Sequence, residues 1–263
     1  VKLKRPKQST VIDELLRRAM VPSRDKGVAY ILGGHVQHGS SRAEKPGDPC
    51  SPEDSLTLKL PTEDVGRGAQ KLDGALGTFR WEVKDRVAAD VGSSTGGFTQ
   101  VLLRNGAKRV FAIDVGYGEL AWELRSDPRV TVMERTNART LLALPEQITR
   151  ATVDLSFISL RQVLPQIRLW GEEELQICAL VKPQFEAPPE TVPSGGVIVD
   201  PQVHATILRE IMQWCVAEGF LLLGLCPSPL KGRDGNQEYF LLLGNRGVGQ
   251  SPEVLLKAVG FND

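Results

Sequence analysis

The chain has 263 residues, 41% of them apolar, which is enough to bury a full α/β core and one small extra domain. Its 32 basic and 32 acidic side chains cancel, so the broad basic field of many nucleic-acid binders is excluded and any RNA contact must come from local patches. Cys50, Cys178, Cys215 and Cys226 are scattered without a Cys-x-x-Cys pair, which excludes a disulfide framework and predicts buried, reduced thiols. From the N-terminus, residues 1–7 form a basic, Pro-containing lead-in. Thr10 then caps a helix with Val11, Leu15, Leu16 and Ala19 on its apolar face and Arg17-Arg18 exposed. Pro22-Ser23 opens a second helix, with Val28, Ile31 and Leu32 inward, stopped by Gly33-Gly34. His35-Val36-Gln37 and the alternating Ser55–Leu60 read as strands, with a polar loop over 40–53 between them. His35 and His38 lie three apart without a third ligand nearby, so no metal is expected. These elements outline a small α+β domain over 8–60, followed by a linker over 61–66.

A larger domain follows over 67–263. A helix runs from Lys71 to Phe79, with Leu72, Ala75, Leu76 and Phe79 on one side. From Arg86 onward strands and helices alternate, as in a doubly wound sheet, with strands predicted at 86–91, 109–114, 130–133, 151–154 and 175–181. A helix over 201–218 precedes two apolar strands, 220–225 and 238–243, close enough in sequence to form an antiparallel pair at the sheet edge. No stretch approaches the roughly 18 apolar residues of a membrane span and no signal peptide is visible, so a cytoplasmic protein with no membrane partner is expected.

The stretch with the most chemical content is Asp90-Val91-Gly92-Ser93-Ser94-Thr95-Gly96-Gly97-Phe98. It joins an apolar strand to a helix through a glycine-rich turn, so a ligand can lie against bare backbone and face the helix's free N–H groups. A dinucleotide fingerprint wants glycine at offsets zero, two and five. Here those places hold Gly92, Ser94 and Gly97, and the middle glycine is missing. The acid Asp90 just before the turn repels a pyrophosphate but suits a cationic ligand with an amino group, and S-adenosylmethionine is such a ligand. The next strand ends in Asp114, about 20 residues beyond the turn, where a ribose-binding carboxylate belongs. A helix-start turn without a ligand is the alternative.

In open α/β sheets the reacting groups gather at the carboxyl ends of the strands. Those ends carry Asp90, Asp114, Glu134, Asp154 and Lys182. A lysine ending a buried strand is costly unless paired, and Asp154 on the neighbouring strand is its natural partner. A helix cap at Asp154, or a purely structural ion pair, would also account for these two. Taken singly, Glu238 is an edge-strand carboxylate and Lys71 a surface lysine.

Two resemblances sharpen this reading. The N-terminal order, with Leu15-Leu16, Ser23-Arg24, Gly34-His35-Val36 and Lys45-Pro46-Gly47, resembles the α-L RNA-binding domain of ribosomal protein S-four. It departs from that domain at Val11-Ile12-Asp13, at Gln37-His38-Gly39 and in the acids Glu44, Asp48, Glu53 and Asp54, which bears on RNA affinity. From Gly66-Arg67-Gly68-Ala69-Gln70-Lys71-Leu72 through 90–98, 114–118, Glu134–Arg139, 153–160, 180–186 and 228–238, the ordered motifs resemble the haemolysin-A/TlyA family of ribosomal RNA methyltransferases, relatives of the FtsJ ribose methyltransferases.

The family resemblance implies a class I methyltransferase fold: an α/β, Rossmann-like, seven-stranded, mostly parallel sheet with an antiparallel last strand. It implies methyl transfer from S-adenosylmethionine to a ribose 2′-hydroxyl of ribosomal RNA, typically at cytidine, without a metal. The family's Lys-Asp-Lys-Glu tetrad falls on Lys71, Asp154, Lys182 and Glu238, with Lys182 as the base. A lysine takes a proton only from its neutral form, which burial and a second ammonium favour and a carboxylate opposes. Asp90, Gly92, Ser93, Ser94, Thr95, Gly96, Gly97, Phe98, Asp114 and Asn137 are the expected cofactor residues. Arg24, Arg67, Lys231 and Arg233 are the expected phosphate contacts to ribosomal RNA or a ribosomal subunit. Ala187-Pro188-Pro189-Glu190 and Val199 depart from the family's glycine-rich segment and arginine, which bears on substrate docking. A non-catalytic RNA-binding or assembly protein and a nicotinamide-dependent dehydrogenase are the competing readings, and the oligomeric state stays open.

Overall fold

The computed structural model describes residues 9–21, 23–58, 66–232 and 234–261. The expected lead-in over 1–7, Pro22, and the stretch 59–65 that holds most of the expected linker lie outside the described residues. The chain divides into two compact units, Val1–Glu63 and Asp64–Asp263.

In the first unit, helices α1 (Val11–Arg17) and α2 (Arg24–Leu32) accompany a three-stranded antiparallel sheet of β1 (Val36–His38), β2 (Ser41–Arg42) and β3 (Leu56–Leu58), ordered β2-β1-β3. The Thr10 hydroxyl accepts the Asp13 N–H as the cap of α1. Val11, Ile12, Leu15, Ile31, Val36, Cys50 and Leu56 form the core. Three sequence expectations change. Ala19 lies past the end of α1 at φ 52°, so it leaves the apolar face. The loop over 40–53 contains the short strand β2, because the chain reverses tightly after His38. Arg18 is not a solvent-facing charge: it donates to the carbonyls of Ser51, Pro52 and Asp54 and closes that loop onto α1. Both Arg17 and Arg18 also reach the buried Glu14, and the Arg17 guanidinium beside it lowers the Glu14 pKa to about 2.

The second unit runs α3 (Arg67–Phe79), β4 (Val87–Val91), α4 (Gly97–Arg104), β5 (Arg109–Ile113), α5 (Trp122–Arg125), β6 (Val130–Met133), β7 (Ile148–Val153), α6 (Leu164–Leu169), β8 (Gly171–Val181), α7 (Pro183–Glu186), α8 (Pro201–Ala217), β9 (Leu221–Pro227), β10 (Tyr239–Gly244) and α9 (Pro252–Ala258). The seven strands are ordered β6-β5-β4-β7-β8-β10-β9. The first five in that order are parallel, and β10 runs antiparallel to both β8 and β9.

Alternation along each strand sends side chains to opposite faces. Ala89, Val91, Ile113, Val153, Ile177, Ala179 and Leu241 meet Leu208, Ile211 and Met212 of α8 and Leu255 and Leu256 of α9 on one face. Ala88, Val110, Ala112, Cys178, Leu180, Phe240 and Leu242 meet Leu72, Ala75 and Leu76 of α3 and Val101 and Leu102 of α4 on the other. The result is a three-layer α/β fold with the strand ends left open for a site. All four cysteines are free and buried. Among the described residues no helix is long and apolar enough to cross a membrane.

Candidate active site

The glycine turn follows β4 directly and leads into α4. Gly92 at φ 86° and Gly96 at φ 101° take backbone conformations that disfavour a side chain. A Cβ at Gly92 would collide with the Asp154 carbonyl oxygen, so this glycine lets the turn lie against the chain that follows β7. Ser94, with φ 45°, donates its N–H to Asp114 Oδ2 at 2.8 Å, while Gly116 N–H donates to Asp114 Oδ1 at 2.7 Å. Asp114 is therefore aimed by two backbone amides, and each oxygen keeps acceptor capacity for a hydroxyl.

Two cavities open at this end of the sheet and share Gly92. One, of about 210 Å³, is bordered by Asp114, Asn137, Ile158 and mostly apolar side chains. The other, of about 410 Å³, is bordered by Gly66, Arg67 and Gly68, by Gly92 to Thr95, Gly97 and Phe98, and by Asp154. The expected cofactor residues thus divide. Gly92, Ser93, Ser94, Thr95, Gly97, Phe98, Asp114 and Asn137 line this space. Asp90 and Gly96 do not. Gly96 packs beneath the turn, where a Cβ would strike Leu124. Asp90 is fully buried, its two carboxylate oxygens accepting the hydroxyls of Thr99 at 2.7 Å and Thr152 at 3.0 Å. It supports the turn from below instead of facing a ligand's amino group. Burial raises its pKa to about 6, against the opposing Thr99 and Thr152 hydrogen bonds.

The tetrad residues come from four different places and form two ion pairs. Lys71, on the second turn of α3, donates to Glu238 Oε2 at 2.6 Å, and both side chains are nearly sealed from solvent. Lys182, just beyond β8, lies 2.6 Å from Asp154 Oδ1 and donates its directed hydrogen bond to the Ser156 hydroxyl at 3.0 Å. The sheet explains the meeting. Tyr239 pairs with Val181, so Glu238 and Lys182 emerge one residue beyond that rung on neighbouring strands. Asp154 follows Val153 at the matching end of β7. Glu238 precedes β10 and Asp154 follows β7, each one residue outside the strand expected to contain it. Burying the Lys71–Glu238 pair without function is a weak route to stability, whereas removing one member of such a pair costs about 3–5 kcal/mol.

Of the expected RNA contacts, Arg24 pairs with Asp13 at 3.1 Å in the first unit. Arg67 donates to the Lys231 carbonyl at 2.9 Å, which joins the start of α3 to the loop before β10. Arg233 lies outside the described residues. Three contributions were missed in the sequence. Ser156 shares the Lys182 ammonium with Asp154. Phe157, 89% exposed and at φ 64°, stands against Phe185 with ring centroids 5.1 Å apart. The exposed Phe157, backed by the half-buried Phe185, is a surface on which an unpaired base can stack. Glu186, four residues after Lys182, is buried and bonded to Ser159 and Leu160. The only sequence signal for them was proximity to Asp154 and Lys182.

A lysine amine in its neutral form, set against Asp154 on the cavity wall, can remove a proton from a hydroxyl held there. Comparison with known proteins identifies the family. Residues 65–245 match the FtsJ-like methyltransferase family model. The chain is 44% identical over 241 residues to the 16S/23S rRNA (cytidine-2'-O)-methyltransferase TlyA of Mycobacterium tuberculosis, covering 90% of each protein. It is 34% identical over 221 residues to hemolysin A of Brachyspira hyodysenteriae, covering 82% of this chain and 92% of that one. A solved structure from Streptococcus thermophilus, provisionally named a hemolysin, matches with a TM-score of 0.70 at 34% identity over 95% of each chain. The chain belongs to the FtsJ-like methyltransferase family, in the branch of TlyA and hemolysin A.

Proposed function

We propose that this protein methylates a ribose 2′-hydroxyl of ribosomal RNA, at cytidine, using S-adenosylmethionine. The observation that carries the proposal is the gathering of Lys71, Asp154, Lys182 and Glu238 at one sheet end, as two ion pairs, with Asp154 on the wall of the larger cavity. The donor set suits this cofactor. Asp114, aimed by the N–H groups of Ser94 and Gly116, would accept the adenosine ribose hydroxyls, and the cavity with Asn137 and Ile158 would take the base. The backbone of Gly92 to Thr95 and of Gly97, which borders the larger cavity, would hold the methionine part. When bound, the cofactor supplies an electrophilic methyl group and a neutral thioether leaving group.

The protein's own residues supply orientation and a proton acceptor. With its amine neutral, Lys182 Nζ would take the proton of the 2′-hydroxyl and leave the oxygen an electron pair with which to act as nucleophile. Asp154 and Ser156 fix the direction of that amine. Lys71, anchored by Glu238, holds the ribose from the other side. Alignment of reacting atoms supplies up to about 7–11 kcal/mol of the barrier reduction. Arg67 and Lys231 stand where phosphates of a docked RNA pass, and the Phe157–Phe185 pair offers a neighbouring base its stacking surface. A ribosomal substrate puts the activity in the cytoplasm, or in an organelle with its own ribosomes.

The test is transfer of labelled methyl from S-adenosylmethionine to ribosomal subunits, with the modified nucleotide mapped. Lys182→Ala is expected to lower the rate by about 10²–10⁴-fold, the usual contribution of a positioned base, with circular dichroism unchanged. Undiminished incorporation by this variant removes Lys182 from the reaction. A wild-type protein that binds ribosomal particles but never methylates them establishes a non-catalytic role instead.

A further inference from the structure

Lys182 and Glu186 sit at opposite ends of a single turn. Phe185 N–H donates to the Lys182 carbonyl at 2.9 Å and Ala187 N–H to the Pro183 carbonyl at 2.9 Å, so the two side chains leave one rigid piece of backbone. Facing it is the segment 154–160, which follows β7 and has no helix or strand until a 3₁₀ turn begins at Leu160. Its first half touches Lys182 through Asp154 and Ser156. Its second half touches Glu186. The Leu160 N–H donates to Glu186 Oε1 at 2.7 Å and the Ser159 hydroxyl to Glu186 Oε2 at 2.7 Å. Arg161 approaches Oε2 at 3.4 Å. The two stretches are thus cross-linked at both ends, one link being the pair that contains the base.

We propose that Glu186 is a positioning residue for methyl transfer, bracing Ser159 and Leu160 so that Asp154 and Ser156 stay registered on Lys182. The inference rests on the function proposed above. A carboxylate is an expensive brace, since its side chain is 1% exposed and burial raises its pKa despite the opposing hydrogen bonds. An apolar side chain would fill the same volume, but it could not hold two donors of an irregular segment in fixed directions. Among the described residues, Arg161 and Cys215 on α8 are titratable groups that face Glu186.

The experiment compares wild type, Glu186→Ala, Glu186→Gln and Ser159→Ala in full-length protein, measuring kcat, KM and the pH–rate profile on ribosomal subunits. Reactivity of Lys182 toward acetic anhydride, read by peptide mass spectrometry across pH, is measured in parallel. Misplacing a catalytic group by about 1 Å costs on the order of 10²-fold, so Glu186→Ala is expected to lose about that in kcat with KM within threefold. Its pH–rate profile departs from wild type, because Asp154 and Ser156 no longer hold the Lys182 amine in the same place. Glu186→Gln keeps an acceptor for Leu160 and recovers activity to within about tenfold of wild type. A folded Glu186→Ala protein with wild-type kcat and pH profile overturns the proposal. Should that variant fail to fold, an unchanged kcat and profile in Ser159→Ala, which removes one of the two brace bonds, overturns it equally. If wild type transfers no methyl at all, the proposed function fails, and Lys182 acetylation alone decides the brace: identical pH curves in wild type and variants refute it.

Discussion

At the scale of single residues, Asp90 shows how position and role separate. A strand-ending acid before a glycine turn suggested a ligand contact, yet the side chain is fully buried, with each oxygen taken by a threonine hydroxyl. What burial costs it is measurable. Its pKa is raised from 3.8 to about 6, so the folded state holds this proton more tightly than the unfolded chain does. Stability from this group is therefore full below about 4 and is lost as pH rises through about 6, a swing of roughly 3 kcal/mol. Glu14 acts in the opposite sense at lower pH, because Arg17 lowers its pKa to about 2. The clean measurement is the difference between wild type and Asp90→Asn in urea unfolding. Asparagine stays neutral and can still bond both threonines, so the variant should gain on wild type between pH 4 and 7 and run parallel to it above. Curves that stay parallel across the whole range would show that Asp90 does not carry the buried charge. The same contrast runs through the site. Lys182 stood out in the sequence because an ammonium at the end of an apolar strand needs a partner, and Asp154 is there. Ser156 and Phe157 did not stand out, because nothing in a short irregular segment states which way its side chains point.

At the scale of elements, the strands and the long helices were legible because their periodicity is strong. Residues 87–91, 109–113 and 130–133 form strands within one residue of expectation, and α8 ends one residue short. The four-residue α5 and α7 have too few turns for a pattern, and β8 starts at Gly171 because its polar first half, Glu172 to Glu174, hides it. The turn between β4 and α4 was recognised from its glycines, but which glycine matters for which neighbour needed coordinates. Gly92 is the critical one: at φ 86° a side chain is strained, and its Cβ would push on the Asp154 backbone. Gly92→Ala is expected to destabilise the protein by about 1–3 kcal/mol through backbone strain. It should also displace Asp154, so S-adenosylmethionine affinity by calorimetry and methyl transfer fall together. Gly77→Ala, on the same unit with nothing near its Cβ, is the control and should stabilise α3 slightly. Unchanged cofactor affinity in a folded Gly92→Ala protein would mean that the turn does not border the ligand.

At the scale of the whole molecule, zero net charge conceals an uneven distribution. Residues 1–63 carry eleven basic and eight acidic side chains, leaving twenty-one basic against twenty-four acidic for 64–263. The second unit alone is thus mildly repelled by a polyanion, although it holds the residues proposed to react. Each unit also has its own apolar core, one built from Val11, Leu15, Ile31 and Val36 and the others flanking the large sheet. A protein of residues 64–263 should therefore fold with an unchanged unfolding midpoint for the sheet and bind S-adenosylmethionine as the full chain does. Its affinity for ribosomal subunits should fall by at least tenfold, because the basic unit that resembles an RNA-binding domain is gone. The salt dependence of binding is the discriminating readout. Each phosphate that is no longer neutralised makes the slope of log affinity against log salt shallower, by about 0.9 on duplex nucleic acid and somewhat less on single strands. Equal affinity and equal slope would assign all RNA recognition to the methyltransferase unit, with Arg67 and Lys231 as its candidate phosphate contacts. Failure of the shortened protein to bind the cofactor would instead mean that the second unit needs the first to fold, against the separation of their cores.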